Sequence, residues 1–285
     1  MGFTWLFRQS GLSHKNKRKN FQYILLMGPE TFFSLGCFME MARIFITGSS
    51  DGLGRITANF LVNQGHAVVL HARNPERGRQ ALEKVPGAEK VLIGDLSSIK
   101  ETKKLALEVN SIGHFDSIIH NAGVYQVPNK LIFAVNTLAP YILTCLIQKP
   151  ERMIYLSSGM HLQGDPGLKD FSHDTSRYSY SDSKLHDVIL SMVVAREWPG
   201  VYSNAVNPGW VPTKMGGKSA PDNLEKGAET QAWLAVSNDN EAKVSGRYFY
   251  HKREKYFQPA AGDPVVQEKL LALCEEISGI SFPAY

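Results

Sequence analysis

The stretch that decides the fold is residues 43–54, RIFITGSSDGLG, in which a short apolar strand runs directly into a glycine-rich turn. Gly48 allows a tight turn, Gly52 lets the backbone approach a bound group, and Gly54 lets the next helix pack closely. The start of that helix offers unpaired N–H groups and positive potential to a phosphate. A purely structural turn is the alternative, but the flanking strand and helix favour a dinucleotide site. Its predicted residues here are Gly48, Ser49, Ser50, Asp51, Gly52, Leu53 and Gly54.

The chain after Met41 alternates short apolar runs with longer helical patterns. Short, continuous, β-branched runs are typical of strands that are covered on both faces. The predicted strands are 43–47, 67–70, 90–93, 117–120, 152–156, 201–206 and 247–250, and the predicted helices are 54–63, 98–109, 130–148, 180–197, 225–235 and 264–277. This order predicts an α/β Rossmann fold in one domain over residues 41–285, with a doubly wound parallel sheet of about seven strands between two helical layers.

Residues 1–40, the leader, do not share this pattern. They carry five basic residues against two acidic ones, whereas the other 26 basic and 25 acidic residues leave the body nearly neutral. The body therefore lacks the charge footprint of a nucleic-acid-binding protein. An apolar run after the basic residues suggests a signal anchor, but Gly28, Pro29 and Glu30 interrupt it. We expect an extension outside the domain, with membrane association as the less favoured alternative.

The cysteine pattern bears on the compartment and on metal binding. Cys37, Cys145 and Cys274 are odd in number, far apart and without metal-ligand spacing. They are typical of reduced thiols in a cytoplasmic protein, and no metal site is predicted.

The end of the second strand bears on which dinucleotide binds. NAD sites usually place a carboxylate there for the ribose 2′-hydroxyl, but this strand leads into Arg73. Because a guanidinium can pair with a 2′-phosphate, the sequence favours NADP(H), with NAD(H) as the alternative. Asp51 argues mildly against an extra phosphate, and Asp95 is expected to accept from the adenine amino group or to cap a loop. Further predicted cofactor contacts are Leu96, Asn121, Ala122, Gly123, Tyr180, Lys184, Pro208, Gly209, Val211 and Thr213.

Tyr180 and Lys184 open the predicted helix 180–197. Their spacing of four residues places the phenol and the ammonium on one helix face. A neighbouring cation favours the phenolate, so Tyr180 could exchange a proton with a carbonyl or alcohol oxygen while a nicotinamide exchanges a hydride. Two surface neighbours are the alternative for such a pair taken alone.

Two further polar residues are candidates for the same chemistry, one at the predicted sheet edge and one in a helix. Ser158 ends the strand run from 152, where ligands bind outside the carboxyl ends of parallel strands, and its hydroxyl could donate to a reacting oxygen. Asn136 lies in an apolar helical run, and its alternative is a satisfied buried amide.

Taken together, these motifs resemble the short-chain dehydrogenase/reductase family, over nearly all of residues 41–285. The motifs are TGSSDGLG at 47–54, NAG at 121–123, YSDSK at 180–184 and NPGWVPT at 207–213, with Asn136 and Ser158 between them. The resemblance implies that Asn136, Ser158, Tyr180 and Lys184 form the catalytic tetrad. Tyr180 would be the general acid/base, and Lys184 would bind the nicotinamide ribose and lower the pKa of Tyr180. Ser158, preferred over Ser157 as the second of the pair, would orient the substrate oxygen, and Asn136 would hold a proton-relay water.

The chain has 21 residues between Ser158 and Tyr180, a HAR/ARN step at 71–74 and the ending SGRYF at 245–249. In these features it is most similar to the retinol-dehydrogenase-like branch of the family. It departs from the usual pattern at His120, in a short 123–136 stretch that lacks part of the usual pocket wall, and in the leader. The family often forms homodimers or homotetramers, and monomers also occur in this branch. The pocket is predicted from residues 125–128, 159–178 and 214–224, which include Met160, His161, Phe171, His173, Tyr178 and Met215, with His161 as the best substrate contact.

The leading functional prediction is an NADP-preferring oxidoreductase that interconverts a carbonyl and an alcohol on a small-to-medium, apolar molecule. Two alternatives keep the same dinucleotide site: a reductase of C=C bonds, and a non-catalytic sensor or scaffold. A sensor would be expected to lose Ser158, Tyr180 or Lys184, and all three are present.

Overall fold

The computed structural model describes residues 41–168 and 173–283, so the leader and Cys37 lie outside the described residues. The strands are β1 (Arg43–Ile46), β2 (Ala67–Ala72), β3 (Lys90–Ile93), β4 (Ser117–His120), β5 (Arg152–Leu156), β6 (Tyr202–Asn207), β7 (Arg247–Tyr250) and β8 (Arg253–Glu254). They form one sheet in the order β3-β2-β1-β4-β5-β6-β7-β8. All neighbouring pairs from β3 to β7 are parallel, and β8 runs antiparallel to β7. The predicted doubly wound sheet is therefore confirmed.

The helices are α1 (Gly52–Asn63), α2 (Pro75–Lys84), α3 (Ile99–Ser111), α4 (Asn129–Ile132), α5 (Ala139–Leu146), α6 (Tyr180–Glu197), α7 (Leu224–Val236) and α8 (Pro264–Ser278). They cover both faces of the sheet because strand side chains alternate between two cores. Phe45 and Val69 pack with apolar residues of α3, α5, α6 and α8. Ile44, Val68 and Leu70 pack with those of α1, α2 and α7. The result is a three-layer α/β/α arrangement.

Two elements differ from the sequence-based prediction. Helix α2 was not predicted, because it is strongly polar and buries only Gly78 and Ala81. It begins at an Asn74 cap, whose side chain accepts from the Arg77 N–H, followed by Pro75 at the first helical position. The prediction of about seven strands omits β8, a charged two-residue strand with no apolar pattern.

The predicted single helix 130–148 is interrupted. Between α4 and α5 the residues Phe133–Leu138 form a π-helical segment, a distortion that often accompanies functional sites. The whole stretch Asn129–Leu146 is long and apolar enough to cross a membrane by length and composition, and 67% of it is buried within the protein. That burial is typical of a core helix.

Replacement of Asn74 by alanine tests the cap of α2. Asn74→Ala removes an acceptor from a helix start, so the free energy of unfolding should fall by about 1 kcal/mol in a urea titration. Asn240→Ala is the matched control, because Asn240 is exposed in a turn. Equal stability of the two variants would show that the cap does not stabilise α2.

Candidate active site

The carboxyl ends of the parallel strands border a cleft of about 430 Å³, here called the strand-end cleft. Parallel α/β sheets bind ligands at this edge. The predicted cofactor residues that line it are Gly48, Ser50, Asp51, Gly52, Leu53, Gly54, Arg73, Asp95, Leu96, Asn121, Ala122, Gly123, Tyr180, Lys184, Pro208 and Thr213. Three predicted contacts, Ser49, Gly209 and Val211, do not line the cleft. Ser49 and Val211 are buried, and Gly209 packs against the carboxylate of Asp222.

The glycine turn is packed too tightly for side chains. Gly48 has a φ of 62°, and a Cβ on it would lie 2.8 Å from the Cα of Ala122. A Cβ on Gly54 would lie 2.3 Å from the side-chain nitrogen of Asn121 and 2.8 Å from the Gly48 carbonyl oxygen. Asn121 in turn donates to the carbonyls of Thr47 and Gly48. The turn therefore keeps its backbone N–H groups at the cleft because it is fixed against the end of β4.

His71 of β2 holds this turn through hydrogen bonds, and the sequence analysis missed it. Its Nδ1 accepts from the Gly48 N–H at 2.9 Å, and its Nε2 lies 2.9 Å from the Gly94 carbonyl oxygen. Burial lowers the pKa of His71 to about 4, so the ring is neutral at neutral pH and its Nδ1 can accept. The backbone N–H of His71 bonds to the Ser49 hydroxyl, which explains why Ser49 lies inside the turn. The sequence signal that could have identified His71 is a polar residue within the apolar run of β2.

Positive side chains gather beside the turn. Arg73 at the end of β2 is exposed and lines the cleft, as does Arg77 in the first turn of α2. The Arg77 guanidinium lies 3.7 Å from the Asp51 carboxylate, and Lys214 binds the same oxygen from the segment after β6. The hydrogen bond from Lys214 lowers the pKa of Asp51. Because this carboxylate is paired with two cations, it would repel an extra phosphate less than a free carboxylate would. Arg77 was missed with α2.

Tyr180 and Lys184 share the face of α6 that lines the cleft. The Lys184 Nζ lies 5.5 Å from the centroid of the Tyr180 ring. The Tyr125 ring packs on Tyr180 with centroids 4.6 Å apart, and the Met215 sulfur lies 3.9 Å from the phenol oxygen. The predicted pairing on one helix face therefore holds in the structure.

The pKa of Tyr180 reflects opposing effects of burial and of neighbouring charges. Burial raises it, and the Lys184 ammonium lowers it by less than burial raises it. The carboxylate of Asp187 and the neighbouring Tyr125 raise it further. Lys184 therefore acts in the direction expected from the sequence, but the pKa of Tyr180 is raised overall because the hydroxyl lies in a desolvated site.

The Lys184 ammonium is almost completely buried. It donates to the Leu156 carbonyl and to the Asp187 carboxylate, both at 2.8 Å. A Cβ on Gly123 would lie 3.6 Å from Nζ, so the ammonium lies against the end of β4. Burial alone would lower the pKa of Lys184, but Asp187 and Tyr180 raise it overall. The lysine is charged at neutral pH.

The two serines after β5 have different partners. The Ser157 hydroxyl is buried, lines the cleft and donates to the Lys184 carbonyl at 2.6 Å. Ser158 is half-buried, and its Oγ accepts from the Met160 N–H at 3.3 Å. The Ser158 hydroxyl proton is therefore not used in that bond, which favours Ser158 over Ser157 as a hydrogen-bond donor to a substrate oxygen. Ser158 itself does not border the cleft.

Asn136 and Asp95, the other two predicted polar contacts, form hydrogen bonds with other residues of the protein. The buried Asn136 side chain accepts from the Val124 N–H and donates to the Val124 carbonyl and the Ser183 hydroxyl. It thereby fixes the segment after β4, and its role with a water stays a prediction. Asp95 lines the cleft while one of its oxygens accepts from Ser97. Its predicted contact with adenine also stays a prediction.

Comparison with known proteins identifies the family. A protein-family model described as "short chain dehydrogenase" matches residues 42–145. An uncharacterized oxidoreductase of Emericella nidulans is 47% identical over 256 residues, covering 85% of this chain and 99% of that protein. This chain belongs to the short-chain dehydrogenase family.

The dehydrogenase also has relatives in the branch predicted from its sequence. Human retinol dehydrogenase 14 is 29% identical, over 85% of this chain and 88% of that protein. A solved short-chain dehydrogenase of Shigella flexneri, complexed with NADP, has the same fold, with a TM-score of 0.60, 23% identity and coverage of 75% of this chain and 99% of that one. The predicted enzyme class, an NAD(P)-dependent enzyme acting on CH–OH or C=O groups, is confirmed.

The structure corrects two residues of the predicted pocket wall, His161 and Tyr178, which are buried. His161, the preferred substrate contact, is 1% exposed and packs against Tyr248. Tyr178 is also buried, and the exposed His173 pairs with Glu276. The sequence around these side chains could not decide whether they line the pocket or pack in the core. Met215 does line the cleft, and Phe171 lies outside the described residues.

Other predictions concern the thiols and metal binding. Cys145 and Cys274 are free, and burial raises the pKa of both, that of Cys145 to about 12. Thiols with such raised values are unreactive. Among residues 41–168 and 173–283, no group of three His, Cys, Asp or Glu side chains could hold a metal ion.

Gly54→Ala tests the tight packing of the turn. The new Cβ would collide with Asn121 and displace the turn, a strain of about 1–3 kcal/mol. NADPH affinity, measured by fluorescence titration, should therefore fall roughly tenfold or more. The control is Gly200→Ala, since a Cβ there meets nothing within 4 Å. Unchanged NADPH binding by Gly54→Ala would contradict this account of the turn.

Proposed function

We propose that the dehydrogenase interconverts a carbonyl and an alcohol on an apolar substrate with NADP(H), and that Tyr180 is the general acid/base. The observation that carries the proposal is the position of Tyr180 and Lys184, which face the strand-end cleft beside the glycine turn. Bound NADPH would supply the hydride. The substrate carbon gains this hydride while its oxygen gains the Tyr180 proton, and the phenolate that remains is reprotonated from water.

The cleft fits a dinucleotide by its own geometry. The glycine turn leaves backbone in place of side chains, and the Asp51-capped start of α1 adds helix-end potential for phosphates. Two Lys184 N–H bonds are used by Leu156 and Asp187, which leaves a third for a ribose hydroxyl. Tyr180 would then hold and move the proton at its phenol oxygen.

A preference for NADP(H) is supported by charge. Arg73 and Arg77 border the cleft at the end of β2 and the start of α2. Guanidinium groups pair well with phosphates, and β2 ends without a carboxylate. The Shigella flexneri relative of the same fold is complexed with NADP.

An apolar substrate is supported by the side chains at this edge of the sheet. Tyr125, Leu162, Trp210 and Met215 are all exposed, and they lie in the segments that follow the carboxyl ends of the parallel strands β4, β5 and β6. Exposed apolar groups that gather at one edge are typical of a binding surface. Met215 contacts the Tyr180 hydroxyl, so a substrate oxygen that reaches Tyr180 must displace or pass it.

Arginine variants test the nucleotide preference. Arg73→Ala and Arg77→Ala each remove a charged donor worth about 1.5–3 kcal/mol, so NADPH should bind roughly tenfold or more weakly while NADH binding is unchanged. Fluorescence titration measures both affinities. Arg79→Ala is the control, because Arg79 lies on α2 but pairs with Glu76 and Glu83 at the surface. Equal losses for NADPH and NADH would exclude a 2′-phosphate contact.

Tyr180→Phe tests the proton transfer. A panel of apolar aldehydes and ketones is followed by NADPH oxidation, and the variant should lose about 10²–10⁴-fold in rate because the general acid is gone. Its NADPH affinity should remain close to wild type. Tyr256→Phe, at an exposed tyrosine, is the control. A wild-type rate for Tyr180→Phe would exclude Tyr180 as the acid, and a wild type that binds NADPH but reduces no carbonyl would favour the sensor.

A further inference from the structure

Asp187 is a buried carboxylate beside the proposed site that neither the sequence motifs nor the proposed function uses. It lies three residues after Lys184 on α6, and its side chain is 4% exposed. One carboxylate oxygen lies 2.8 Å from the Lys184 Nζ. Burying a charge is costly unless it is paired. The lysine is therefore held in a buried ion pair rather than as an isolated cation.

The groups that face this ion pair come from three elements. Tyr180 lies on the same helix, Tyr125 packs on the Tyr180 ring from the segment after β4, and Tyr155 of β5 is buried nearby. The charge of Asp187 raises the pKa of both Tyr180 and Tyr155. His120, which stacks on Tyr155, is neutral because burial lowers its pKa to about 3. Lys184 and Asp187 are thus the charges that act on the phenol.

The two charges act on Tyr180 in opposite directions. A cation favours the phenolate and an anion favours the phenol, and in a buried site both effects are strong. Asp187 offsets part of the ammonium charge that Tyr180 would otherwise experience. It also fixes Nζ, together with the Leu156 carbonyl, so that one N–H remains for a ligand.

We propose that Asp187 is a positioning residue that holds the Lys184 ammonium in place and opposes ionisation of the Tyr180 phenol. This inference rests on the proposed role of Tyr180. A protonated phenol is the form that carbonyl reduction requires, whereas alcohol oxidation requires the phenolate. Asp187 therefore favours the form of Tyr180 that reduction requires. Burial raises the pKa of Asp187, whereas the Lys184 ammonium beside it lowers that pKa and stabilises the carboxylate.

The test is a direct titration of Tyr180 in the full-length chain, without turnover. Tyrosine is labelled with carbon-13 at Cζ, and the Tyr180 signal is assigned by its absence from Tyr180→Phe. In Asp187→Asn the titration midpoint should fall, with an ionisation constant roughly tenfold larger than in the wild type. In Lys184→Met the midpoint should rise. A midpoint for Asp187→Asn equal to or above that of the wild type would overturn the proposal.

A matched control separates charge from structure. Asp182 is also buried on α6, but its carboxylate caps the helix by accepting from Ser179. Asp182→Asn should lower the thermal stability and leave the Tyr180 midpoint unchanged. An equal shift in Asp182→Asn and Asp187→Asn would show that the shift comes from a loosened helix, and would also overturn the proposal.

A second pair of variants keeps the test valid if Asp187→Asn does not fold. Lys184→Met leaves a buried carboxylate, and the double variant Lys184→Met/Asp187→Leu replaces the ion pair with apolar groups, which proteins often tolerate well. Adding Asp187→Leu to Lys184→Met should lower the Tyr180 midpoint, and no change would contradict the role of Asp187. Because none of these measurements needs a substrate, their outcome is independent of whether the carbonyl panel yields activity.

Discussion

The close contact between the turn after β1 and the end of β4 is the constraint on which the rest of the site depends. Gly48 and Gly54 have no space for a side chain because Ala122 and Asn121 occupy it. The turn is held from the other side by His71, which joins the Gly48 N–H to the Gly94 carbonyl. Backbone donors are therefore fixed before any ligand arrives, and this preorganisation is what makes a helix start an effective phosphate site.

The reactive half of the cleft depends on a balance of buried charge. Tyr180, Lys184 and Asp187 lie on one helix, and their spacing of four and three residues brings phenol, ammonium and carboxylate together. Because burial makes each charge costly, the pKa of each group depends on its burial and on its charged neighbours and departs from its ordinary value in water. This explains why the phenol has a raised pKa although a lysine lies beside it.

The two halves are joined by the sheet. Parallel strands bring the ends of β1, β2, β4 and β5 to one edge, and residues far apart in the chain meet there. The segment after β6 crosses to the glycine turn through the contact of Lys214 with Asp51, and the same segment brings Met215 to the Tyr180 hydroxyl. Nucleotide and substrate contacts therefore share one loop. Substrate choice depends on such loops rather than on the fold.

The sequence by itself determined the sheet, the glycine turn and the Tyr180–Lys184 pair, because these depend on local periodicity and short spacings. Several strands, β3, β4 and β7 among them, were predicted with the bounds that they have in the structure. Only the tertiary structure decided the features that depend on distant partners. Helix α2 has too little apolar pattern to be predicted, His161 faces the core rather than the pocket, and burial outweighs the effect of Lys184 on the pKa of Tyr180. Desolvation and packing are properties of the surroundings, which a spacing of residues along the chain does not contain.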